Sequence, residues 1–367
     1  MNREEEITKN PSSLHVLGLV VLSMFSFIGP MNSGIRVENV KNGDFSSFYA
    51  YDRSLSLNAA EDLIVDEDTY KVYKVYFDSV NGERVPALLS IPEGRENIPC
   101  IVFLHGYGGS KEDILSTAGP IAAEAYAIMA IDAEFHGERM EKGKELYSKN
   151  LNESRNGIIQ TVIDLRRAVD YLEMRTEIDR AKIGYVGGSM GGILGAIFIG
   201  VESRIKAAAL LVAGGNMSLM IKKSRHYTMP AIREYLEAEG IPYEEIQKFL
   251  DPVDPINFID KFSPRPVVFH LGKYDEIVPA EAGEQLYRRA KEPKSVYWYD
   301  SGHSLPLELV LARILDFMDR ELLGKKLVFH ETKYWISKHI ASILIGIGGI
   351  LSIACVVHLI RRRVKRG

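Results

Sequence analysis

Along the middle of the chain, short apolar runs alternate with longer amphipathic segments. Residues 70–78 alternate between apolar and polar, and residues 84–91 repeat that character after Asn81-Gly82, a pattern typical of a β-hairpin. Continuous apolar runs follow, which are typical of strands buried on both faces. These runs, with one more strand-like segment, are 100–104, 126–131, 182–186, 207–212, 267–271 and 295–299.

Helical periodicity fills the intervals between these runs. In residues 158–172 the apolar positions recur every three or four residues, which indicates one buried helix face. The segments predicted as helices are 111–125, 154–174, 191–201 and 280–290. Strands that alternate with helices predict an α/β fold with a mostly parallel sheet covered on both faces, here with an antiparallel hairpin at one edge.

Residues 214–262 interrupt this alternation with two helical stretches, and we interpret them as a small cap inserted into an α/β body at 69–323. Residues 32–68 are polar and mixed, and they are predicted as a linker or N-terminal extension.

The C-terminal apolar stretch predicts a transmembrane helix. Residues 340–360 contain no Asp, Glu, Lys or Arg, and 21 helical residues span roughly 30 Å, the thickness of the hydrocarbon layer. Residues 324–339 form a juxtamembrane segment with Tyr334 and Trp335 at interface depth, and five basic side chains lie in the tail at 361–367. The positive-inside rule places this tail in the cytoplasm and the body outside.

The N-terminal residues 1–31 also contain an apolar stretch, but polar residues interrupt it and three glutamates precede it. Both an uncleaved signal anchor and a cleaved signal peptide fit this pattern. Either alternative places the body outside the cytoplasm, in agreement with the C-terminal orientation.

Composition narrows the class of protein. The 367 residues are 46% hydrophobic and 26% charged, as in an ordinary folded protein. The net charge is −4, and because residues 331–367 are strongly basic, the body is more acidic than that total. An acidic body argues against a nucleic-acid partner. Two cysteines make no disulfide framework, and no His-Glu-x-x-His motif points to a metal, so we expect neither metal nor organic cofactor.

The chemistry is carried by the sequence Gly187-Gly-Ser189-Met-Gly191, which follows a predicted strand and opens a predicted helix. A serine at such a turn projects its hydroxyl above the strand ends, while the flanking glycines avoid collisions. The free N–H groups of the helix start favour negative charge on a reacting oxygen. A phosphate-binding turn is the alternative, but the lysine of a P-loop is missing.

A serine nucleophile needs a base and an orienting acid. His303 is the best candidate for the base, because it lies in a loop between a predicted strand and helix. Asp275 follows the strand at 267–271, so its carboxylate reaches the same edge of the sheet. Glu276 is the alternative acid, one residue further along.

An oxyanion also needs two N–H donors. Met190, directly after the serine, supplies one. The loop His105-Gly-Tyr107-Gly108-Gly follows an earlier strand, and Tyr107 is the predicted second donor, with Gly108 as the alternative. His105 is interpreted as a structural residue of this loop.

These motifs together resemble the α/β-hydrolase superfamily over residues 69–323, in particular its dienelactone-hydrolase, acetyl-esterase and prolyl-oligopeptidase-like branch. The resemblance implies an eight-stranded sheet and a serine acyl-enzyme mechanism. Residues 32–68 are too short for the β-propeller of the related peptidases, and dienelactone hydrolases use cysteine where this chain has Ser189. Both departures favour an esterase.

We therefore expect a membrane-anchored serine esterase with an extracytoplasmic catalytic domain and a small-molecule ester or acyl substrate. Two alternatives stay open at this stage. One is an acyl-peptide hydrolase, peptidase or thioesterase, and the other is a non-catalytic binding module of the same fold.

Overall fold

The computed structural model describes residues 44–340. The predicted N-terminal segment 1–31, the transmembrane helix 340–360 beyond its first residue and the tail 361–367 lie outside the described residues. Within residues 44–340, no helix combines the length and the apolar character needed to cross a bilayer. The membrane segments therefore stay a prediction.

A nine-stranded sheet forms the centre of the described residues, in the order β1-β2-β3-β5-β4-β6-β7-β8-β9. The strands are β1 Ala60–Glu67, β2 Tyr70–Asp78, β3 Arg84–Pro92, β4 Ile98–Leu104, β5 Ala127–Ile131, β6 Ile178–Gly188, β7 Ala207–Leu211, β8 Val267–Gly272 and β9 Lys294–Tyr299. The first three strands and the β3–β5 pair are antiparallel, and all other pairs are parallel. The mostly parallel sheet is thus confirmed.

The expected number of eight strands is wrong, because β1 lies within the residues predicted as a linker or N-terminal extension. It pairs antiparallel with β2 along nearly its whole length. Almost all of its side chains are exposed, and half of them are acidic. A charged edge strand held by backbone hydrogen bonds has no buried face, so it leaves no periodic hydrophobic signal in the sequence.

Residues 44–59 also pack on the body. Phe45–Tyr49 is a single 3-10 turn, and Tyr49 has no exposed surface. The Tyr49 hydroxyl donates to the Pro252 carbonyl at 2.7 Å, and Arg166 donates to the Tyr49 carbonyl at 2.6 Å. This segment is therefore part of the folded unit rather than a linker.

Helices cover the sheet and connect its parallel strands. They are α1 Ala118–Ala123, α2 Leu151–Leu172, α3 Met190–Val201, α4 Met217–Lys223, α5 Met229–Ala238, α6 Tyr243–Leu250, α7 Ala280–Arg289 and α8 Leu307–Leu323. One sheet face packs on α1 and α8 in a core that includes Ile101, Val186 and Met318. Helix α3 packs on strand β6 and on α2. The predicted helix at 111–125 is instead a 3-10 helix, Lys111–Ser116, followed by the short α1.

The three short helices α4, α5 and α6 occupy residues 217–250, between β7 and β8. Their buried side chains include Met220, Ile232 and Leu250. Helix α5 starts with proline at its second position, a residue that suits the first turn of a helix. This insertion lies within the predicted cap, and it contributes the walls of the pocket described below.

Candidate active site

Ser189 lies at the sharp turn from β6 into α3, with φ 53° and ψ −117°. This backbone conformation is strained for a residue with a side chain, and such strain persists only where the surroundings enforce it. Two glycines allow the turn. A Cβ at Gly191 would collide with the carbonyl oxygen of Leu104, and one at Gly187 would collide with the backbone of Gly191.

His303 connects the serine to the acid. Its Nε2 lies 2.9 Å from Ser189 Oγ, and its Nδ1 lies 2.8 Å from Asp275 Oδ2. The three residues are 86 and 28 positions apart along the chain, yet the ends of β6, β8 and β9 bring them together. The structure thus places all three predicted residues in one hydrogen-bonded chain.

Asp275 is anchored by its own backbone surroundings. Its Oδ1 accepts the N–H groups of Ile277 and Val278, at 2.9 and 3.0 Å. The residue is 6% exposed. Because its other oxygen faces Nδ1 of His303, the carboxylate can only accept there, and the imidazole must carry its proton on Nδ1. Glu276, the alternative acid, is exposed and pairs with Arg225 at 3.0 Å.

The loop after β4 lies beside the serine, as expected for an oxyanion site. A Cβ at Gly106 would lie 3.7 Å from both the Gly188 carbonyl oxygen and Ser189 Cβ. His105 holds this loop in place. Its Nδ1 donates to the Gly106 carbonyl at 2.7 Å, and its Nε2 accepts the N–H of Ala133 at 3.1 Å. Burial lowers the pKa of His105, so it stays neutral and structural.

Tyr107 is the centre of an aromatic cluster that the sequence did not reveal. Its ring stacks on Tyr147 with centroids 5.3 Å apart, and it meets the edges or faces of His136, His226 and Tyr227 at 4.9, 4.7 and 5.9 Å. These contacts hold the Tyr107 side chain against the neighbouring loops. The members come from three separate loops without a shared motif, so no sequence spacing could have identified them.

His226 enters this cluster from the cap. It lines the same pocket as Ser189, and its Nδ1 lies 2.8 Å from the Thr228 hydroxyl. Burial first, and then the nearby His303, lower the pKa of His226. His226 is therefore neutral near pH 7, and it adds no positive charge beside His303.

In the strand-end loop at 132–139, the side chains of Asp132 and Arg139 pair with other residues rather than with each other. The Asp132 carboxylate accepts from the backbone and ammonium groups of Lys111 at 2.8 and 3.0 Å. Arg139 donates to Glu134 and, at 2.7 Å, to Asp164. Both networks brace the loops that carry the site.

A largely apolar pocket opens at Ser189 and runs under the cap. Side chains from α2, α3 and all three cap helices line it, including Ile158, Ile193, Met217, Met220, Met229 and Leu250. The hydroxyl of Tyr147 in this lining is buried and has no hydrogen-bond partner within the described residues. In the part of the chain that the structure describes, no cluster of three His, Cys, Asp or Glu side chains could hold a metal ion.

Comparison with solved structures places this architecture in the α/β-hydrolase fold. The acetyl xylan esterase from Paenibacillus sp. R4 superposes with a TM-score of 0.66 at 21% identity, over 76% of this chain and 92% of that one. Acetyl xylan esterase 1 from Thermoanaerobacterium sp. JW/SL YS485 gives a TM-score of 0.67 at 17% identity, over 75% and 92%. These matches show the α/β-hydrolase fold.

Sequence comparison narrows the class to a family. Residues 35–319 match the acetyl xylan esterase (AXE1) family, and the chain belongs to that family. Esterase YjfP of Escherichia coli (strain K12) is 24% identical over 213 residues, which are 57% of this chain and 82% of that protein. The protein is an enzyme of the carboxylic ester hydrolase class. Its resemblance to acetyl esterases is thereby confirmed, and a non-catalytic binding module is not supported.

Proposed function

We propose that this protein is a serine esterase that works through an acyl-enzyme. Ser189 Oγ attacks the acyl carbonyl carbon while His303 Nε2 takes the hydroxyl proton. The N–H groups of Tyr107 and Met190 donate to the resulting oxyanion. His303 then protonates the leaving alcohol, and the ester bond breaks. A water molecule attacks the acyl-enzyme by the same route, which releases the acid and restores Ser189.

One observation carries this proposal, namely the hydrogen-bonded chain from Asp275 through His303 to Ser189. The acid fixes the proton on Nδ1, so the lone pair of Nε2 faces the serine hydroxyl. That arrangement is the one a general base needs. The strained backbone of Ser189 supports the same role, because such strain has no structural benefit at an ordinary turn.

Labelling with a fluorophosphonate probe, followed by peptide mapping, tests the proposal. The probe reacts only with an activated serine, so we expect the label on the peptide that contains Ser189. Ser189→Ala should abolish labelling and lower ester turnover by several orders of magnitude with an unchanged far-ultraviolet circular dichroism spectrum. Ser148→Ala changes another serine of the same pocket, and it should keep the label. Equal labelling of wild type and Ser189→Ala would overturn the proposal.

We further propose that the enzyme is anchored in a membrane by residues 340–360, with its catalytic domain on the extracytoplasmic side. The absence of charge over this stretch and the basic tail support the proposal. Residues 330–340 are helical, and Trp335, Ile336 and Ile340 are about half exposed on that helix. Exposed apolar side chains just before the predicted span suit the membrane interface.

Cell fractionation tests the anchor. The full chain should sediment with membranes and resist extraction by carbonate, whereas a chain ending at residue 339 should lose the C-terminal anchor. Because residues 1–31 could anchor the chain as well, the comparison is made with and without them. Protease added to intact cells or spheroplasts should digest the body. A body that is cleaved only after lysis would contradict the proposed orientation.

A further inference from the structure

Most of the side chains that line the pocket at Ser189 are methionine, leucine, isoleucine or valine. Met217 and Met220 come from α4, Met229 and Ile232 from α5, and Leu250 from α6. Methionine adapts its shape to irregular apolar partners better than other residues do. Such walls offer few hydrogen-bonding groups to a polar sugar. Burial of an aliphatic chain in them is favourable, because it removes apolar surface from water.

Apart from Ser189, the serine hydroxyls in the lining do not alter this character, because they already have hydrogen-bond partners; the buried hydroxyl of Tyr147 is a further polar atom in these walls. The Ser224 hydroxyl donates to the Ile277 carbonyl at 2.6 Å. The Ser154 hydroxyl accepts the N–H of Ser148 at 3.0 Å, and the two serine hydroxyls lie 3.4 Å apart. A bound group therefore meets mostly carbon atoms.

The pocket lies on the acyl side of the reacting centre. Its lining includes Ser189, Tyr107 and Met190, which surround the acyl carbonyl in the proposed mechanism, but it does not include His303. His303 protonates the leaving alcohol, and its side chain is 27% exposed. The alcohol thus departs on the open side, and the group that remains on Ser189 occupies the pocket.

The pocket extends well past the reacting carbonyl. Its walls continue from Ser189 under the cap to Met229 on α5 and Leu250 on α6. An acyl chain longer than acetyl can therefore contact apolar side chains that an acetyl group does not reach.

We propose that the pocket selects esters whose acyl group is a short aliphatic chain longer than acetyl. This inference rests on the proposed serine esterase function and adds the substrate class. The names of the family and of its solved members refer to acetyl groups on xylan, so a longer acyl group separates this chain from its relatives.

The test measures kcat/KM for each member of a series of 4-nitrophenyl esters, from acetate to decanoate, with the purified full chain in detergent. Each methylene buried in the pocket should raise kcat/KM about fourfold. Butanoate should therefore exceed acetate about 15-fold, and decanoate should fall at least tenfold below the optimum. A second series, butanoate esters of alcohols of increasing length, should change kcat/KM less than threefold.

Pocket variants test the cause of the preference. Met220→Ala opens the wall and should move the optimum two or three carbons toward longer chains. Met318→Ala is the control, since Met318 is also a buried methionine but lies on α8, in the core on one sheet face, and does not line the pocket. The control should leave the profile unchanged. If Met220→Ala does not fold, Ile221→Val makes a smaller opening in the same wall and should move the optimum by about one carbon.

The outcomes separate the two proposals. Acetate as the best substrate, with turnover that depends on Ser189, would overturn the acyl-chain inference and leave the esterase intact. A preference that follows the alcohol chain would also overturn it. No turnover of any ester that depends on Ser189 would overturn the proposed function itself.

Discussion

Replacing Asp275 by asparagine removes one charge and retains the shape of the side chain. In the wild type, Oδ1 accepts two backbone N–H groups, from Ile277 and Val278, while Oδ2 faces Nδ1 of His303. The only oxygen of an asparagine must stay with the two backbone donors, since its NH₂ group cannot accept from them. The NH₂ group therefore faces His303 and donates to Nδ1.

This reversal changes the tautomer of the imidazole. With Nδ1 accepting, the proton moves to Nε2, which then points an N–H at the Ser189 hydroxyl and cannot take its proton. We expect Asp275→Asn to lower kcat about 10³- to 10⁴-fold, or about 4 to 5.5 kcal/mol of barrier. The assay is steady-state hydrolysis of 4-nitrophenyl butanoate near pH 7.5, with thermal unfolding as a check on the fold.

Glu276→Gln is the matched control for this experiment. It makes the same carboxylate-to-amide change one residue further along, where the side chain is exposed and pairs with Arg225. We expect its kcat within about threefold of the wild type, because exposed ion pairs contribute little. A loss of kcat below tenfold in Asp275→Asn, or a loss of kcat in Glu276→Gln that exceeds the loss in Asp275→Asn, would refute the assignment of the acid.

Three further predictions concern the surroundings of the site. Gly191→Ala should destabilise the fold by about 2 kcal/mol and lower kcat/KM at least tenfold, because its methyl group would push the serine turn away from the Leu104 carbonyl; normal activity and stability would contradict this packing. Burial lowers the pKa of His270 from 6.5 to about 3. As the pH falls, the unfolded chain therefore binds a proton at this imidazole before the folded protein does. The folded state loses stability between about pH 6.5 and pH 3, at up to about 1.4 kcal/mol per pH unit. Denaturant unfolding at pH 7 and pH 5 should therefore show a smaller loss for His270→Phe than for the wild type, and equal losses would disprove it. Tyr147→Phe removes a buried hydroxyl that has no hydrogen-bond partner among residues 44–340, so stability and butanoate turnover should stay equal or rise; a fall in kcat/KM above fivefold would instead show that this hydroxyl binds substrate.

Strands β4 and β8 were predictable because their side chains are buried on both faces of the sheet. Cys100–Leu104 and Val267–Leu271 are continuous apolar runs of five residues. Short runs of this kind between predicted helices are typical of buried parallel strands. Strand β1 was not predictable, because nearly all of its side chains face solvent and half of them are acidic, so none of its faces is apolar. Hydrophobic periodicity in a sequence reflects which side chains are buried. A strand such as β1, with almost no buried side chains, therefore shows no such periodicity.

The positions of Ser189, Asp275 and His303 follow from the same logic. Each directly follows a strand or strand-like segment, and neighbouring parallel strands end at one edge of the sheet. The aromatic cluster around Tyr107 depends instead on how the cap folds back over that edge. Tyr147 and His226 lie 79 residues apart on segments without regular spacing, and their contact is set by tertiary packing alone.

Direct detection of the acyl-enzyme tests the central claim. The full chain is mixed with 4-nitrophenyl butanoate, quenched in acid within milliseconds, digested and mapped by mass spectrometry. The account predicts that the peptide containing Ser189 gains the mass of one butanoyl group, with release of one equivalent of 4-nitrophenol in a burst. A butanoyl group on another residue, or turnover without acylation of Ser189 at any quench time, would contradict it.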